Sequence, residues 1–296
     1  MFYLNRYPEP VSKTRVPCVH ILVRCGIGDI FTFLTRLPAL KEKYPGSRIY
    51  FHVGGWAGIP IAIADVLRPY SREVDGVFVL EGYQGHSERR MKRMLRYLKT
   101  RMLPGDVLLN WIPQRAPFDY EMRLPFTPRL FREDKEFVES FFREKGLSED
   151  NLIALHPITT KGNSSDFEEE RFWSKSQWQK IVEILKAKGF KLLLIGAKGE
   201  EYGIEADDKD IFSFQGTEIR QTITALTMVK GLVGTNSWCW EVTGYMGKPV
   251  GVIWTLRPED IDLHVPEEKP MENTLFEIDK DGDPAKFCEK FLKMLS

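Results

Sequence analysis

Short apolar runs alternate with amphipathic segments from residue 19 to residue 111. Each run has the length and the β-branched or aromatic content of a buried strand, and the segments between the runs repeat their apolar positions with a helical period. The predicted strands are Val19–Val23, Arg48–Val53, Val77–Leu80 and Asp106–Trp111, and the predicted helices are Ile30–Tyr44, Ala62–Leu67 and Ser87–Met102. This alternation predicts a parallel sheet with helices packed on it.

The same alternation starts again at residue 152, after a Pro-, Phe- and Arg-rich stretch and a helix-like segment, Glu136–Lys145. The predicted strands are Leu152–Leu155, Lys191–Ile195, Ile211–Phe214, Leu232–Val233 and Val250–Trp254, and the predicted helices are Ser176–Lys188, Ile219–Val229, Trp240–Met246 and Pro284–Leu295. We therefore predict an α/β protein with two Rossmann-like domains, residues 1–148 and 149–296, and a ligand bound between them. The last helix belongs to the second domain or packs back on the first.

Composition narrows the class of protein. The 296 residues include 42 Lys and Arg and 42 Asp and Glu, so the chain lacks the overall positive charge of a nucleic-acid-binding protein. Four cysteines, Cys18, Cys25, Cys239 and Cys288, show no metal-ligand spacing, which favours reduced thiols and no metal site. The N-terminus has no apolar signal-peptide core, and no apolar run reaches about 18 residues. We therefore expect a cytoplasmic protein without a membrane span.

The most informative stretch is residues 231–250, in which an apolar strand ends at the small polar turn Thr235-Asn236-Ser237 and a helix follows. Backbone N–H groups point outward at such a helix N-terminus, and the helix dipole favours an anion such as a diphosphate. The alternative is an ordinary loop between a strand and a helix.

A glycine-containing turn, Gly26-Ile27-Gly28-Asp29, follows the first predicted strand. It is not a dinucleotide fingerprint, because Phe31 stands at the third glycine position and no acidic residue closes the second strand. Asp29 remains at a predicted helix start, where it is either a helix cap or a general base.

Two further turns carry candidate ligand-binding groups. Thr159 and Thr160 follow the strand that ends near His156, and Lys161 and Arg171 flank a polar loop from which they could reach a diphosphate. Glu200 follows another strand and either accepts hydrogen bonds from ribose hydroxyls or begins a solvated helix.

The predicted helix Ser87–Met102 is strongly basic, and its cations include Arg89, Arg93 and Arg96. It presents either an ordinary solvated face or a binding surface for an anionic glycan, a glycolipid acceptor or the inner-membrane surface. Two acidic patterns are rejected as metal motifs. The stretch Asp279–Asp283 lacks the glycine and glutamate positions of a calcium loop, and Asp208-Lys209-Asp210 lies in a turn away from the strand ends.

Five segments, in their order along the chain, resemble glycosyltransferase family 9, the ADP-heptose:lipopolysaccharide heptosyltransferase family. They are ILVRCGIGDIFTFLTRLPALKEKYPGSRI, IALHPITT, RFWSKSQWQKIV, LLLIGAKGEE and VGTNSWCWEVTGYMGKPV. The resemblance implies the GT-B fold, in which two Rossmann-like domains face each other across a cleft and the second binds the nucleotide-sugar. It also implies inverting sugar transfer to a bacterial surface glycan or lipopolysaccharide-type acceptor, without a metal or other cofactor.

The resemblance also implies roles for single residues. Asp29 matches the family's general base, with Gly28 on the acceptor side, and Glu200 matches an acid that contacts the ribose. The residues that match phosphate-binding positions are Thr159, Thr160, Asn236, Ser237 and Trp238.

The family pattern is altered at four positions: it usually has Asp at 236, Gly at 238, His at 241 and a basic residue at 172, where this chain has Asn236, Trp238, Glu241 and Phe172. Glu241 is then a candidate ribose ligand, and Arg171 stands one position before the usual basic residue. A nucleotide-sugar epimerase of the same architecture and a non-catalytic sugar-nucleotide-binding protein remain alternatives.

Overall fold

The structure is a computed structural model. It describes residues 16–23, 26–53, 59–79, 92, 95–96, 98–100, 102–111, 121–158, 173–206, 209–253, 272–279 and 281–296. At residues 23, 29, 59, 60, 79, 110 and 111 only the backbone is described.

A parallel sheet of four described strands forms the first part of the chain, as the apolar runs predict. The strands are β1 (Cys18–Val23), β2 (Arg48–Val53), β3 (Gly76–Val79) and β4 (Val107–Trp111), in the order β3-β2-β1-β4. The chain therefore moves outward from β1 in one direction to β3 and then crosses back to place β4 on the other side of β1.

The helices described in full beside this sheet are α1 (Ile27–Leu34), α2 (Leu37–Lys43) and α3 (Ile59–Leu67), the last followed by a single 3-10 turn at Arg68–Tyr70. The sequence predicts one helix over Ile30–Tyr44, but the structure divides it into α1 and α2. Pro38 explains the division, because proline has no N–H to donate to the carbonyl of Leu34 and its ring clashes with that carbonyl. Of the predicted basic helix, the described positions 92, 95, 96, 98 and 99 are helical.

The second part of the chain contains a parallel sheet in which six strands are described. The strands are β5 (Leu152–His156), β6 (Lys191–Leu194), β7 (Ile211–Ser213), β8 (Gly231–Thr235), β9 (Val250–Ile253) and β10 (Thr274–Glu277), in the order β10-β9-β8-β5-β6-β7. This is the strand order of a doubly wound dinucleotide-binding fold, with β5 as its first strand. The sequence does not predict β10, a partly exposed edge strand.

Helices cover both faces of this sheet. They are α4 (Arg132–Lys145), α5 (Lys175–Ala187), α6 (Ile219–Thr227), α7 (Trp238–Tyr245) and α8 (Pro284–Met294), with a 3-10 turn at Glu149–Asn151. One apolar core packs α4, α6 and α7 against the sheet, and the other packs α5 and α8. Ala154 and Leu155 contribute to opposite cores because successive side chains of a strand point to opposite faces.

The chain divides into two compact units, Met1–Arg123 and Leu124–Ser296. This division lies earlier than the predicted boundary between residues 148 and 149, because α4 packs against α6 of the second sheet. Asp134 Oδ2 lies 3.6 Å from Arg220 Nε, and the Arg220 guanidinium lies 4.9 Å from the centre of the Phe131 ring. Upstream of α4, the Phe126 N–H donates to the Tyr245 carbonyl at 2.7 Å.

The final helix also belongs to the second unit. In the structure α8 packs against α5 of the same unit, and whether it also packs on the first domain stays a prediction. Among the helices that the structure describes, none is long and apolar enough to cross a membrane.

Candidate functional site

The candidate site lies where the second sheet changes its direction of winding. From β5 the chain winds one way through β6 to β7, and it then returns to place β8 on the other side of β5. The carboxyl ends of β5 and β8 therefore border a crevice between loops that leave in opposite directions, which is where doubly wound folds bind ligands. His156 is the last residue of β5, and Ser237 follows β8 as the residue that precedes α7.

His156 is the centre of a buried polar cluster. Its Nδ1 atom lies 2.7 Å from the Ser237 hydroxyl oxygen, and its Nε2 atom lies 3.6 Å from Glu200 Oε2. His156 is 4% exposed and Glu200 is 3% exposed. Three segments thus bring one polar group each to the same point: the end of β5, the turn after β6 and the turn after β8.

Glu200 was predicted either to bind ribose or to begin a solvated helix, and the structure contradicts the second alternative. Its carboxylate is buried, and Oε2 accepts a hydrogen bond from the Ala197 N–H at 2.6 Å. Because a buried carboxylate is costly unless it is paired and hydrogen-bonded, this contact and His156 together account for its burial. A role in ribose binding stays a prediction.

The charge of His156 depends on its neighbours. Burial disfavours the charged form of the ring, but Cys239 and Glu200 more than offset burial, so the pKa of His156 is raised to about 9. A pKa of about 9 favours the protonated ring at neutral pH, next to the residue that precedes α7. The positive end of that helix and this cation both favour an anionic ligand.

Ser237 uses its hydroxyl in an unusual way for a residue at a helix start. It occupies the N-cap position of α7, but its side chain makes no capping hydrogen bond. The hydroxyl contacts His156 instead. The first turn of α7 is left without the side-chain acceptor that commonly satisfies its N–H groups, and such groups are suited to bind anionic oxygen atoms.

The other predicted residues of this turn lie beside Ser237. Asn236 accepts a hydrogen bond from the Trp240 ring nitrogen at 3.0 Å through Oδ1, so this oxygen already braces the helix. Trp238 is the first residue of α7 and is partly exposed. Glu241 lies in the first turn of the same helix and is also partly exposed, which is compatible with the predicted contact with a ligand.

Several predicted site residues fall outside the described part of the chain. They are Thr159, Thr160, Lys161, Arg171, Arg89 and Arg93. Their roles stay predictions.

In the first unit, Asp29 lies within α1 and not in a turn before the helix, because α1 begins at Ile27. This helix follows β1, which lies between β2 and β4 at the switch point of the first sheet. Gly28 is buried, and its carbonyl accepts a hydrogen bond from the Thr32 hydroxyl at 3.5 Å. Arg96 is exposed and donates through Nε to the Lys92 carbonyl at 3.4 Å.

A second buried polar cluster, which the sequence does not predict, lies in the first sheet. Cys18, His20 and Asp106 place possible metal-ligand atoms within 4.8 Å of one another. Linear spacing cannot reveal such a group, because Cys18 and His20 are on β1 and Asp106 precedes β4. Asp106 also has a structural task, since its oxygens accept hydrogen bonds from the Cys18 N–H at 3.0 Å and the Leu103 N–H at 2.9 Å.

His52 extends this second cluster. Its Nε2 atom lies 3.0 Å from His20 Nδ1, and its ring stacks on Phe78 at 4.9 Å. Burial and the neighbouring His20 lower the pKa of His52 to about 3, so this ring is neutral at physiological pH.

Comparison with known proteins identifies the fold class. No protein-family model and no curated protein sequence matches the chain. A glycosyltransferase family 9 structure from Veillonella parvula matches with a TM-score of 0.66 at 12% identity, over 96% of this chain and 98% of that one. E. coli ADP-heptose LPS heptosyltransferase II matches with a TM-score of 0.61 at 12% identity, over 94% and 98% of the two chains.

A third match is the E. coli heptosyltransferase WaaC with ADP-2-deoxy-2-fluoro heptose. Its TM-score is 0.56 at 12% identity, and the match covers 94% of this chain and 99% of that one. These similarities confirm the predicted fold class, an α/β protein with two Rossmann-like units of the GT-B type. At the level of the fold, they also confirm the resemblance to glycosyltransferase family 9.

Proposed function

We propose that the protein is a glycosyltransferase that transfers a sugar from a nucleoside-diphosphate donor to a bacterial surface glycan or lipopolysaccharide-type acceptor. The observation that carries the proposal is the cluster of His156, Glu200 and Ser237 at the switch point of the second sheet. A helix N-terminus above a buried cation suits a diphosphate. The structural neighbour WaaC with ADP-2-deoxy-2-fluoro heptose supports a nucleotide-sugar as the ligand and makes a heptose the first sugar to test.

In the proposed reaction Asp29 is the general base. Its carboxylate takes the proton of an acceptor hydroxyl, whose oxygen bonds to the anomeric carbon from the face opposite the diphosphate. The bond between that carbon and the diphosphate oxygen breaks, and the diphosphate leaves with the electron pair, so the configuration at the anomeric carbon is inverted. A position in the first turn of α1 supports this role because it favours a negative charge.

The remaining predicted residues complete the proposal. Ser237, the first turn of α7, Thr159 and Thr160 hold the leaving diphosphate, together with Lys161 and Arg171. This arrangement requires no metal for transfer. Glu241 binds the ribose, and the basic segment that includes Arg89, Arg93 and Arg96 binds an anionic glycolipid acceptor at the cytoplasmic surface of the inner membrane.

The test combines ligand binding with turnover on the full chain. In a thermal-shift panel of ADP, UDP, GDP and their sugars, one base should stabilise the protein by about 2.7 kcal/mol at 100 times its dissociation constant. Turnover of the best donor is then compared between wild type and Asp29→Asn, with Asp65→Asn on α3 as the matched control. Loss of a general base costs about 10²- to 10⁴-fold in rate, and we expect this loss for Asp29→Asn alone, with donor affinity unchanged.

Each alternative has its own result in this experiment. A nucleotide-sugar epimerase converts the donor without any acceptor, whereas a binding protein is stabilised by the donor but never turns it over. If no nucleotide stabilises the chain, the proposed function is wrong.

A further inference from the structure

We infer that His156, backed by Glu200, is a positioning residue that fixes the direction of the Ser237 hydroxyl, so that this hydroxyl donates its hydrogen to a phosphate oxygen of the ligand. The inference rests on the proposed function for the identity of that ligand, a nucleoside diphosphate. It adds that the protonation state of a buried histidine decides whether Ser237 can bind the ligand.

His156 Nδ1 and the Ser237 hydroxyl oxygen are in short contact, 2.7 Å apart. One hydrogen lies between these two atoms, and it belongs either to the ring or to the hydroxyl. If Nδ1 carries the hydrogen, Ser237 accepts it and its own O–H is free to donate elsewhere. If Nδ1 is unprotonated, Ser237 donates to the ring and presents only its lone pairs to a ligand.

The groups around the ring determine which of these states occurs. Among the residues that the structure describes, the charged or titratable groups that face His156 are Glu200, from the turn after β6, and Cys239, from α7. The Glu200 carboxylate lies on the side of Nε2 and therefore favours a hydrogen on that nitrogen too. A ring with hydrogens on both nitrogens is the cation, and the raised pKa of His156, about 9, agrees with this arrangement.

Ser237 lies where its hydroxyl can donate to a bound phosphate oxygen. Ser237 is the N-cap residue of α7, yet it makes no capping bond to that helix. Its oxygen therefore does not occupy the backbone N–H groups of the first turn, and these groups can converge on an anion together with the Ser237 O–H. A phosphate oxygen bound there would receive a hydrogen bond from the hydroxyl and would interact favourably with the imidazolium behind it.

The first experiment measures the protonation state of the His156 ring in the absence of any ligand. The chain has only 5 histidines, so two-bond ¹H–¹⁵N spectra of the uniformly labelled protein can resolve them, and His156→Asn identifies the signals of His156. We expect both ring nitrogens of His156 to be protonated at pH 7.5 and to titrate near pH 9. A neutral His156 at pH 7.5 would overturn the inference whatever the protein binds.

The second experiment measures the dissociation constant of the best nucleoside diphosphate from pH 7.5 to 10. The phosphates are fully ionised throughout this range, because the last phosphate pKa is about 6. In wild type the affinity should fall about 10- to 100-fold as His156 deprotonates, which is the worth of one hydrogen bond to a charged group. Ser237→Ala should bind weakly at every pH, whereas Ser213→Ala, at an exposed serine on β7, should behave as wild type.

His156→Asn is the decisive variant, because its side-chain amide can supply a donor near the position of Nδ1 but does not titrate. It should retain most of the affinity at pH 7.5 and lose the fall toward pH 10. An identical fall in wild type and His156→Asn, or no fall in wild type, would contradict the inference. If no nucleotide binds wild type, the proposed function fails, and the spectra still decide the state of His156.

Discussion

At the scale of single residues, a glycine makes the buried cluster of the second sheet possible. Gly196 has a φ of +131°, and a Cβ atom there would lie 2.7 Å from Glu200 Oε2 and 3.1 Å from His156 Cδ2. Any larger residue at this position must separate Glu200 from His156 or move the turn. Gly196 therefore belongs to the site although it carries no functional group.

We expect Gly196→Ala to destabilise the protein by roughly 1–3 kcal/mol and to weaken nucleotide binding, because it adds both backbone strain and a contact with Glu200 and His156. Gly199→Ala is the matched control. Gly199 also has a positive φ, +92°, but nothing lies within 4 Å of an added Cβ atom. Chemical denaturation and calorimetric binding should show the strain in both variants and the loss of affinity only in Gly196→Ala. Equal affinities would show that the cluster does not support the site.

The sequence predicts part of this site. Ser237 and Glu200 can be identified because each follows an apolar strand, at the edge where such sheets bind ligands. Their contact with His156 cannot be predicted in the same way. His156 and Ser237 are separated by 81 positions, and they meet only because β8 pairs with β5. The burial of Glu200 also depends on that pairing and on the turn at Gly196.

At the scale of secondary-structure elements, glycines on the central strands allow the last helix to approach the second sheet. A Cβ atom at Gly251 of β9 would lie 2.6 Å from the Phe287 ring of α8. Phe287 is 1% exposed and packs against Trp173, with ring centres 5.6 Å apart. The distance between α8 and the sheet therefore depends on the missing side chain at Gly251.

Gly251→Ala should destabilise the second unit by about 1–3 kcal/mol, because it overpacks a filled core. Gly244→Ala on α7 is the control, since the nearest atom to its added Cβ is an ordinary 3.5 Å away. This second change should stabilise the protein by about 0.5–1 kcal/mol through helix propensity. Urea denaturation of both variants measures the difference. When combined with Gly251→Ala, the smaller side chain of Phe287→Leu should restore part of the lost stability. An unchanged urea midpoint in Gly251→Ala would contradict the prediction.

Elements with a strong pattern are the ones that the sequence locates well. The strands β1, β2, β5, β6 and β8 each contain a run of buried apolar residues, and each overlaps the strand that the sequence predicts. The edge strand β10 was missed because its four residues are all partly exposed and give a weak pattern. The break between α1 and α2 was missed because the apolar stripe of Leu34, Leu37 and Leu40 continues across it. The helical hydrogen bonds of α1 cannot continue through Pro38, which lies in the first turn of α2.

At the scale of the whole molecule, folding shifts the pKa values of two buried histidines, one in each compact unit, in opposite directions. In the first unit the pKa of His52 is lowered to about 3, and in the second the pKa of His156 is raised to about 9. Both rings titrate at 6.5 when the chain is unfolded. The unfolded chain therefore binds more protons than folded His52 between pH 3 and 6.5, and fewer than folded His156 between pH 6.5 and 9.

The sign of each contribution follows from this difference. The contribution of His52 is present above pH 6.5 and is lost as pH falls toward 3, whereas that of His156 is present below pH 6.5 and is lost as pH rises through 9. We expect the free energy of unfolding to decline on both sides of a maximum near pH 6.5. His52→Gln should reduce the decline toward acid pH, and His156→Asn should reduce the decline toward alkaline pH. Urea denaturation from pH 4 to 10 measures both slopes. If either variant kept the slope of wild type, its histidine would not be the cause.

The pairing of β5 with β8 also has a consequence for the order in which the protein is made. The two strands are neighbours in the sheet, but α5, β6, β7 and α6 lie between them along the chain. Contacts of such long separation form slowly, because a long loop must close before they stabilise anything. A ribosome that has synthesised the chain only as far as α6 has made His156 and Glu200 but not their partner at the start of α7. The proposed ligand site can therefore form only late in synthesis, once the centre of the second sheet is complete.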